Sequence, residues 1–133
     1  MTRVWLALGS NLGDREGYLA AARSALPTAG VHLIRESRVA ETAPVGVTDQ
    51  PRFLNQVLEG ETSLEPMALL KTVKGIEDQL GRQARQRWGP REIDIDILRY
   101  NQHQVDEPGL HIPHPELEHR PFLLDLLKEI EAP

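Results

Sequence analysis

The chain has no cysteine, which excludes disulfides, thiolate nucleophiles and cysteine-ligated zinc or iron–sulfur centres and is compatible with a reducing compartment. Aromatic residues are scarce, with two Trp, two Tyr and two Phe in 133 residues. That scarcity makes Phe53 and Phe122 candidates for stacking a flat heterocycle, alongside ordinary core packing. Long apolar runs are missing as well: Val4 to Leu8 is too short for a transmembrane helix or a signal-peptide core. A soluble, cytoplasmic protein with no membrane partner is expected. Positive charge is not in excess, because 15 Lys and Arg face 20 Asp and Glu for a net −5. This argues against general electrostatic binding of nucleic acid.

What is present suits one globular domain over residues 1–133, since 40% apolar residues in a chain of this size supply a core without metal or disulfide staples. There is no internal repeat, low-complexity tract or linker-like composition. Charge is unevenly spread. From Lys71 to Arg91 six cations stand against Glu77 and Asp78, a local +4 that leaves −9 for the remainder. Such concentration points to a small, highly charged anion, although an exposed helix end and loop would look the same.

Local patterns give an element order. Residues 3–9 are apolar and β-favouring, and they stop at Gly9-Ser10-Asn11-Leu12-Gly13. Asp14 can cap a helix over about 15–26, with Tyr18, Leu19, Ala22 and Leu26 on one face and Pro27 beyond its end. A second strand with imperfect alternation runs from Val31 to Glu41, followed by a proline-restricted loop over 43–52 and a third strand from Phe53 to Thr62. Ser63-Leu64-Glu65-Pro66 opens a helix whose buried face is Leu69, Val73, Ile76 and Leu80, with Gly81 ending it. Residues 82–90 read as a mobile loop, and Ile93 to Leu98 alternates as a strand. The rest is a proline-punctuated loop and a short helix around Leu123 to Ile130. The order βαββαβ predicts an α+β, ferredoxin-like fold: an antiparallel sheet with helices packed on one face, and a short C-terminal helix.

The segment Arg87-Trp88-Gly89-Pro90-Arg91-Glu92-Ile93-Asp94-Ile95-Asp96-Ile97 is the most informative. Strand alternation puts Ile93, Ile95 and Ile97 on the core face and projects Asp94 and Asp96 together from the other. At about 6 Å and an effective dielectric of about 20, two such charges repel by roughly 3 kcal/mol. A divalent cation would offset this, and hard oxygen ligands without cysteine suit Mg²⁺. Two solvated aspartates on an open sheet face are the plainer alternative. Arg82, Arg85, Arg87 and Arg91 favour the metal reading, because guanidinium groups bind phosphate oxygens and metal plus arginines serves phosphoryl transfer. His111, His114 and His119, with Glu116 and Glu118, offer a competing zinc set, but their spacing fits no standard helical zinc motif.

Six stretches, in order along almost the whole chain, resemble the 6-hydroxymethyl-7,8-dihydropterin pyrophosphokinase family of folate biosynthesis. They are residues 7–13, 41–46, 50–55, Gly81-Arg82, Arg87–Arg91 with Asp94 and Asp96, and Ile112-Pro113-His114 through Arg120-Pro121-Phe122. The RWGPR-x-x-D-x-D run carries most of the specificity. The resemblance implies transfer of pyrophosphate from ATP to the pterin hydroxymethyl group, releasing AMP. It implies that Asp94 and Asp96 hold two Mg²⁺ ions, and that Arg82, Arg91, Asp94 and Asp96 are catalytic. Glu77, Arg82, Arg85, Trp88, Arg91, His114 and Arg120 would meet ATP; Thr42, Pro44, Val45, Phe53, Asn55, Trp88 and Phe122 would meet the pterin. A monomer is expected. The chain departs from the family's usual pattern at Ala84, Gly109 and Pro115. Two rivals stay open from the residues alone: a βαββαβ RNA-binding module, and a metal-dependent nucleotide hydrolase.

Overall fold

A computed structural model describes residues 1–44, 49–83 and 90–131. The first strand, β1, is Thr2–Ser10; helix α1 (Arg15–Thr28) leads to β2 (Val31–Glu36), β3 (Ala40–Thr42) and β4 (Phe53–Thr62). Helix α2 (Pro66–Gln79) then precedes β5 (Asp94–Tyr100), a hairpin of β6 (Val105–Glu107) and β7 (Leu110–Ile112), a 3₁₀ turn at Leu117–His119 and helix α3 (Pro121–Glu131). The main sheet has the order β2-β4-β1-β5, with β3 paired to the start of β4, and every pairing is antiparallel. This is the expected ferredoxin-like core.

Both faces of the sheet are covered. Val4, Leu6 and Leu8 of β1 and Ile93, Ile95 and Ile97 pack with Leu19, Ala22 and Leu26 of α1 and Leu69, Val73 and Ile76 of α2. On the opposite face Ala7, Val57 and Leu98 lie under Leu123, Leu126, Leu127 and Ile130 of α3. Because β1 is sandwiched, Leu6-Ala7-Leu8 is buried without a break rather than alternating. Among the described residues no helix is long and apolar enough to cross a membrane.

Three local expectations change. The strand read over 31–41 is two strands, both on β4, parted at Ser37. There the Ser37 N–H donates to the Val57 carbonyl at 2.9 Å and its hydroxyl accepts the Val57 N–H at 2.9 Å. This serine ties the chain to β4 while the ladder is interrupted. Helix α1 runs through Pro27 to Thr28 although proline has no N–H to give, and the Ala29 N–H donating back to the Ala25 and Leu26 carbonyls at 3.2 and 3.1 Å closes the turn beyond it; the Asp14 cap is as expected, its Oδ1 accepting the Gly17 N–H at 3.0 Å. The β6–β7 hairpin was not expected. Its Pro108-Gly109 turn between Val105 and Leu110-His111-Ile112 was the available signal.

The end of α2 decides where Arg82 points. Gly81 adopts φ +96°, its N–H donates to the Asp78 carbonyl at 3.1 Å, and the Arg82 N–H donates to the Glu77 carbonyl at 3.1 Å. These two bonds make a Schellman termination, which only a residue at ease in the left-handed region completes without strain. The chain thereby reverses at Arg82, whose side chain turns back toward β5.

Candidate active site

Where Gly9 of β1 pairs with Asn55 of β4 on one side and Asp94 of β5 on the other, α3 begins and the sheet face opens. A cavity of about 190 Å³ lies there. One half is neutral, lined by Gly9, Thr42, Phe53, Asn55 and Phe122; the other is charged, lined by Arg91, Asp94, Asp96, His114 and Arg120. Strand alternation explains the arrangement: odd residues of β1 and β4 and even residues of β5 share this face.

The neutral half is held by its own bonds. The Asn55 amide nitrogen donates to the Thr42 hydroxyl at 2.5 Å, which fixes the orientation of the amide and leaves its carbonyl oxygen as an acceptor. A Cβ on Gly9 would come within 3.4 Å of Asn55 Oδ1 and 3.7 Å of Phe53 Cδ1. Glycine therefore keeps the floor of this half open.

The charged half is internally paired. Arg82 Nη1 donates to Asp94 Oδ1 at 3.0 Å and to Glu77 Oε1 at 2.6 Å. Arg91 lies 3.3 Å from Asp94 Oδ2. Glu77 is buried; its Oε2 accepts the Ile95 N–H at 2.7 Å and meets Lys74 at 3.3 Å. Burial raises the Glu77 pKa, opposed by Lys74 and the Ile95 N–H. Burial opposes the Arg82 charge, but Glu77 and Asp94 outweigh it and hold the guanidinium pKa above its ordinary value. Burial also works against ionised Asp94, yet Arg91, Lys74 and Arg82 prevail and keep its pKa low.

Asp96 has the opposite fate. Burial, then the adjacent Asp94 charge, push it up to about 7. The arginines that satisfy Asp94 leave its neighbour with a carboxyl that resists ionisation. His114 lies 4.0 Å from Asp96 Oδ1 through Nε2, while its Nδ1 accepts the Glu116 N–H at 3.1 Å. That bond places the ring proton on Nε2, and burial followed by Arg120 lowers the pKa. At neutral pH His114 is an uncharged donor facing the cavity.

Of the residues singled out from the sequence, Thr42, Phe53, Asn55, Arg91, Asp94, Asp96, His114, Arg120 and Phe122 converge on this cavity. Arg82 reaches it through Asp94. Glu77 stands behind Arg82 with its carboxylate engaged inward, and Pro44 is half-buried but not on the lining. Val45, Arg85, Arg87 and Trp88 lie outside the described residues. Gly9 and Glu116 also line the cavity. Gly9 was legible only as part of a strand-ending turn. The zinc set does not assemble: His111 pairs with Asp106 on the hairpin at 2.7 Å, and among the described residues no three His, Asp or Glu side chains converge to hold a metal ion.

The model of the family described as 7,8-dihydro-6-hydroxymethylpterin-pyrophosphokinase (HPPK) matches residues 5–132. The chain belongs to the HPPK family. A 2-amino-4-hydroxy-6-hydroxymethyldihydropteridine pyrophosphokinase of Bacillus subtilis is 46% identical over 128 residues, covering 96% of this chain and 77% of the relative. A mitochondrial folate synthesis bifunctional protein of Pisum sativum is 42% identical over 127 residues, which is 96% of this chain but 25% of that protein. A solved HPPK-DHPS in complex with substrates superposes with a TM-score of 0.77 at 15% identity, over 97% of this chain and 40% of the other, and supports the fold. HPPK membership bears out the expected role, a pyrophosphokinase of folate biosynthesis. The RNA-binding and hydrolase readings give way to it.

Proposed function

We propose that this HPPK chain transfers the pyrophosphoryl group of ATP to the hydroxymethyl oxygen of 6-hydroxymethyl-7,8-dihydropterin, releasing AMP, and that the reaction requires Mg²⁺. The observation that carries the reading is the division of one cavity into a neutral aromatic half and a half bearing Asp94, Asp96, Arg91 and His114. In the transfer the acceptor oxygen bonds to the β-phosphorus of ATP and its hydroxyl proton passes to solvent, the bond from that phosphorus to the α,β-bridging oxygen breaks, and AMP leaves. No covalent intermediate on the protein is needed, so the work is positioning and charge stabilisation.

Asp94 and Asp96 fit a hard divalent cation. They are two carboxylates on one strand face, and burial, then the neighbouring Asp94 charge, push Asp96 up to about 7. Mg²⁺ accepts one or two protein carboxylates and fills its other positions with water and phosphate oxygens; we assign two ions to this pair. When bound, the metal supplies neutralisation of the phosphate charge and alignment of the attacking and leaving oxygens.

Arg82 and Arg91 are held beside Asp94, within reach of a triphosphate placed across the carboxylates. On phosphate binding they exchange a carboxylate partner for phosphoryl oxygens, which they bind bidentately. His114 presents Nε2–H to the same region, and Arg120 adds a further cation. Glu77 keeps Arg82 turned toward the site, and Arg85 and Trp88 complete the nucleotide side in this reading. Phe53 and Phe122 sandwich the pterin plate, Asn55 Oδ1 accepts from the ring, and Thr42, Pro44, Val45 and Trp88 frame it.

Product identification tests the proposal. Protein supplied with ATP, Mg²⁺ and the hydroxymethyl dihydropterin should yield AMP and pterin diphosphate in equal amounts. Formation of ADP, or of AMP at the same rate without pterin, would overturn it.

A further inference from the structure

The two halves of the cavity are carried on chain segments far apart in sequence, and one side chain joins them. Asn11, 1% exposed, follows β1 directly. Its Nδ2 donates to Gln50 Oε1 at 2.9 Å and to the Pro51 carbonyl at 3.0 Å. Its Oδ1 accepts the Arg91 N–H at 2.9 Å, and its own backbone N–H donates to the Arg91 carbonyl at 3.2 Å. Gln50 and Pro51 lead into Phe53, the ring wall of the neutral half. Arg91 precedes Asp94 and belongs to the charged half. The primary amide uses both N–H groups and its carbonyl oxygen, so its bonding is asymmetric: donors face the pterin side and the acceptor faces the phosphate side.

We propose that Asn11 is a positioning residue of the transfer reaction, fixing the separation between the Arg91 backbone and the segment that carries Phe53. The inference rests on the proposed roles of Arg91 and Phe53 in that reaction. In-line transfer needs the acceptor oxygen held against the phosphorus, and a misplacement of about 1 Å between two reactants can cost roughly 100-fold in rate. A buried amide reaching both segments meets that demand more stiffly than two independent loops. Other small polar residues fall short: serine is too short to span both sides, and aspartate keeps the acceptor but loses the donors.

That last difference supplies the test, in single-turnover transfer at pH 8 with pterin and Mg²⁺–ATP affinities measured separately. Asn11→Ala should slow transfer about 100-fold and weaken pterin binding about tenfold. Asn11→Asp retains an acceptor for the Arg91 N–H but drops the bonds to Gln50 and Pro51, so the separation is no longer fixed: transfer should stay about 100-fold slow and pterin affinity about tenfold weaker, with Mg²⁺–ATP affinity within about twofold of the parent. A role confined to stability would move both variants in step with their melting temperatures. Transfer in Asn11→Asp within about threefold of the parent, which would put the whole effect on the Arg91 side, or parental rate and affinities in Asn11→Ala, would overturn the proposal. If Asn11→Ala does not fold, Gln50→Ala decides, since it removes one anchor of the Asn11 amide: it should weaken pterin binding about threefold in the parent and by a smaller factor on the Asn11→Asp background. Equal losses on both backgrounds would overturn the proposal. A parent protein that makes no pterin diphosphate would sink the functional reading, whereas an active parent with indifferent Asn11 variants would sink the role of Asn11 alone.

Discussion

The two halves of the cavity are prepared in different ways. On the neutral side the Asn55–Thr42 bond and the bare backbone of Gly9 define a slot that already has its final polarity. On the charged side Arg82 and Arg91 are bound to Asp94, and Asp96 resists ionisation. In the proposed reaction one surface would meet its ligand as it stands; the other is paired with itself and would trade partners when phosphate and cation arrive. Preorganisation favours the first as a rigid platform. The second is a neutralised store of charge, whose arginines would, in the proposed reaction, become available to phosphate when the carboxylates gain another counter-charge.

The largest expected effect breaks the charged side. Asp96→Ala should lower Mg²⁺-dependent transfer by at least about 10³-fold with the fold retained by circular dichroism, because the Asp96 side chain lines the cavity rather than the core. A rate near the parental value would remove the metal role. On the neutral side, Phe122→Ala should weaken pterin binding roughly 10- to 100-fold and leave Mg²⁺–ATP binding within about twofold. Calorimetry showing equal losses would mean the halves are not separable. A smaller effect is expected of Gly9→Ala, whose methyl group fits the fold but enters the pterin slot: a loss of about three- to tenfold in pterin affinity. Unchanged affinity would place the ring elsewhere.

The smallest effect is thermal and sharpens the electrostatic contrast. With Asp96 raised from 3.8 to about 7, the native metal-free protein holds more protons than the unfolded chain between those values. Its stability therefore falls as pH rises through that window and does not recover above it. Asp96→Asn removes the contribution. In a chelator-containing buffer the variant should match the parent near pH 4 and melt about 5 °C higher at pH 8. A difference that is constant with pH would mean Asp96 is not strained by its neighbour.

Much of this is legible in the amino-acid sequence alone. The alternation Ile93-Asp94-Ile95-Asp96-Ile97 is enough to place two carboxylates on one face, and the spacing of Leu69, Val73 and Ile76 is enough to seat α2 on the other. The break at Ser37 was hidden because it depends on a hydroxyl bonding across to Val57, a tertiary event with no local pattern. The paired state of Asp94 was equally hidden. Sequence spacing shows that arginines are near but not that they are bound to the acid. Glu77 resembled a nucleotide contact by position in the family, and only the geometry reveals that its carboxylate faces a backbone N–H of β5. Its place four residues after Val73 sets it on the buried face of α2, but nothing in the sequence says what a carboxylate there would bind.

That bond has a meaning outside chemistry. β5 ends the main sheet beside β1, so among the described residues its outer backbone groups have no ladder partner. The acid on the neighbouring helix occupies the rung at Ile95. One side chain thus steadies an arginine and satisfies an edge N–H, so that a change at Glu77 would disturb the sheet margin and the aim of the guanidinium together.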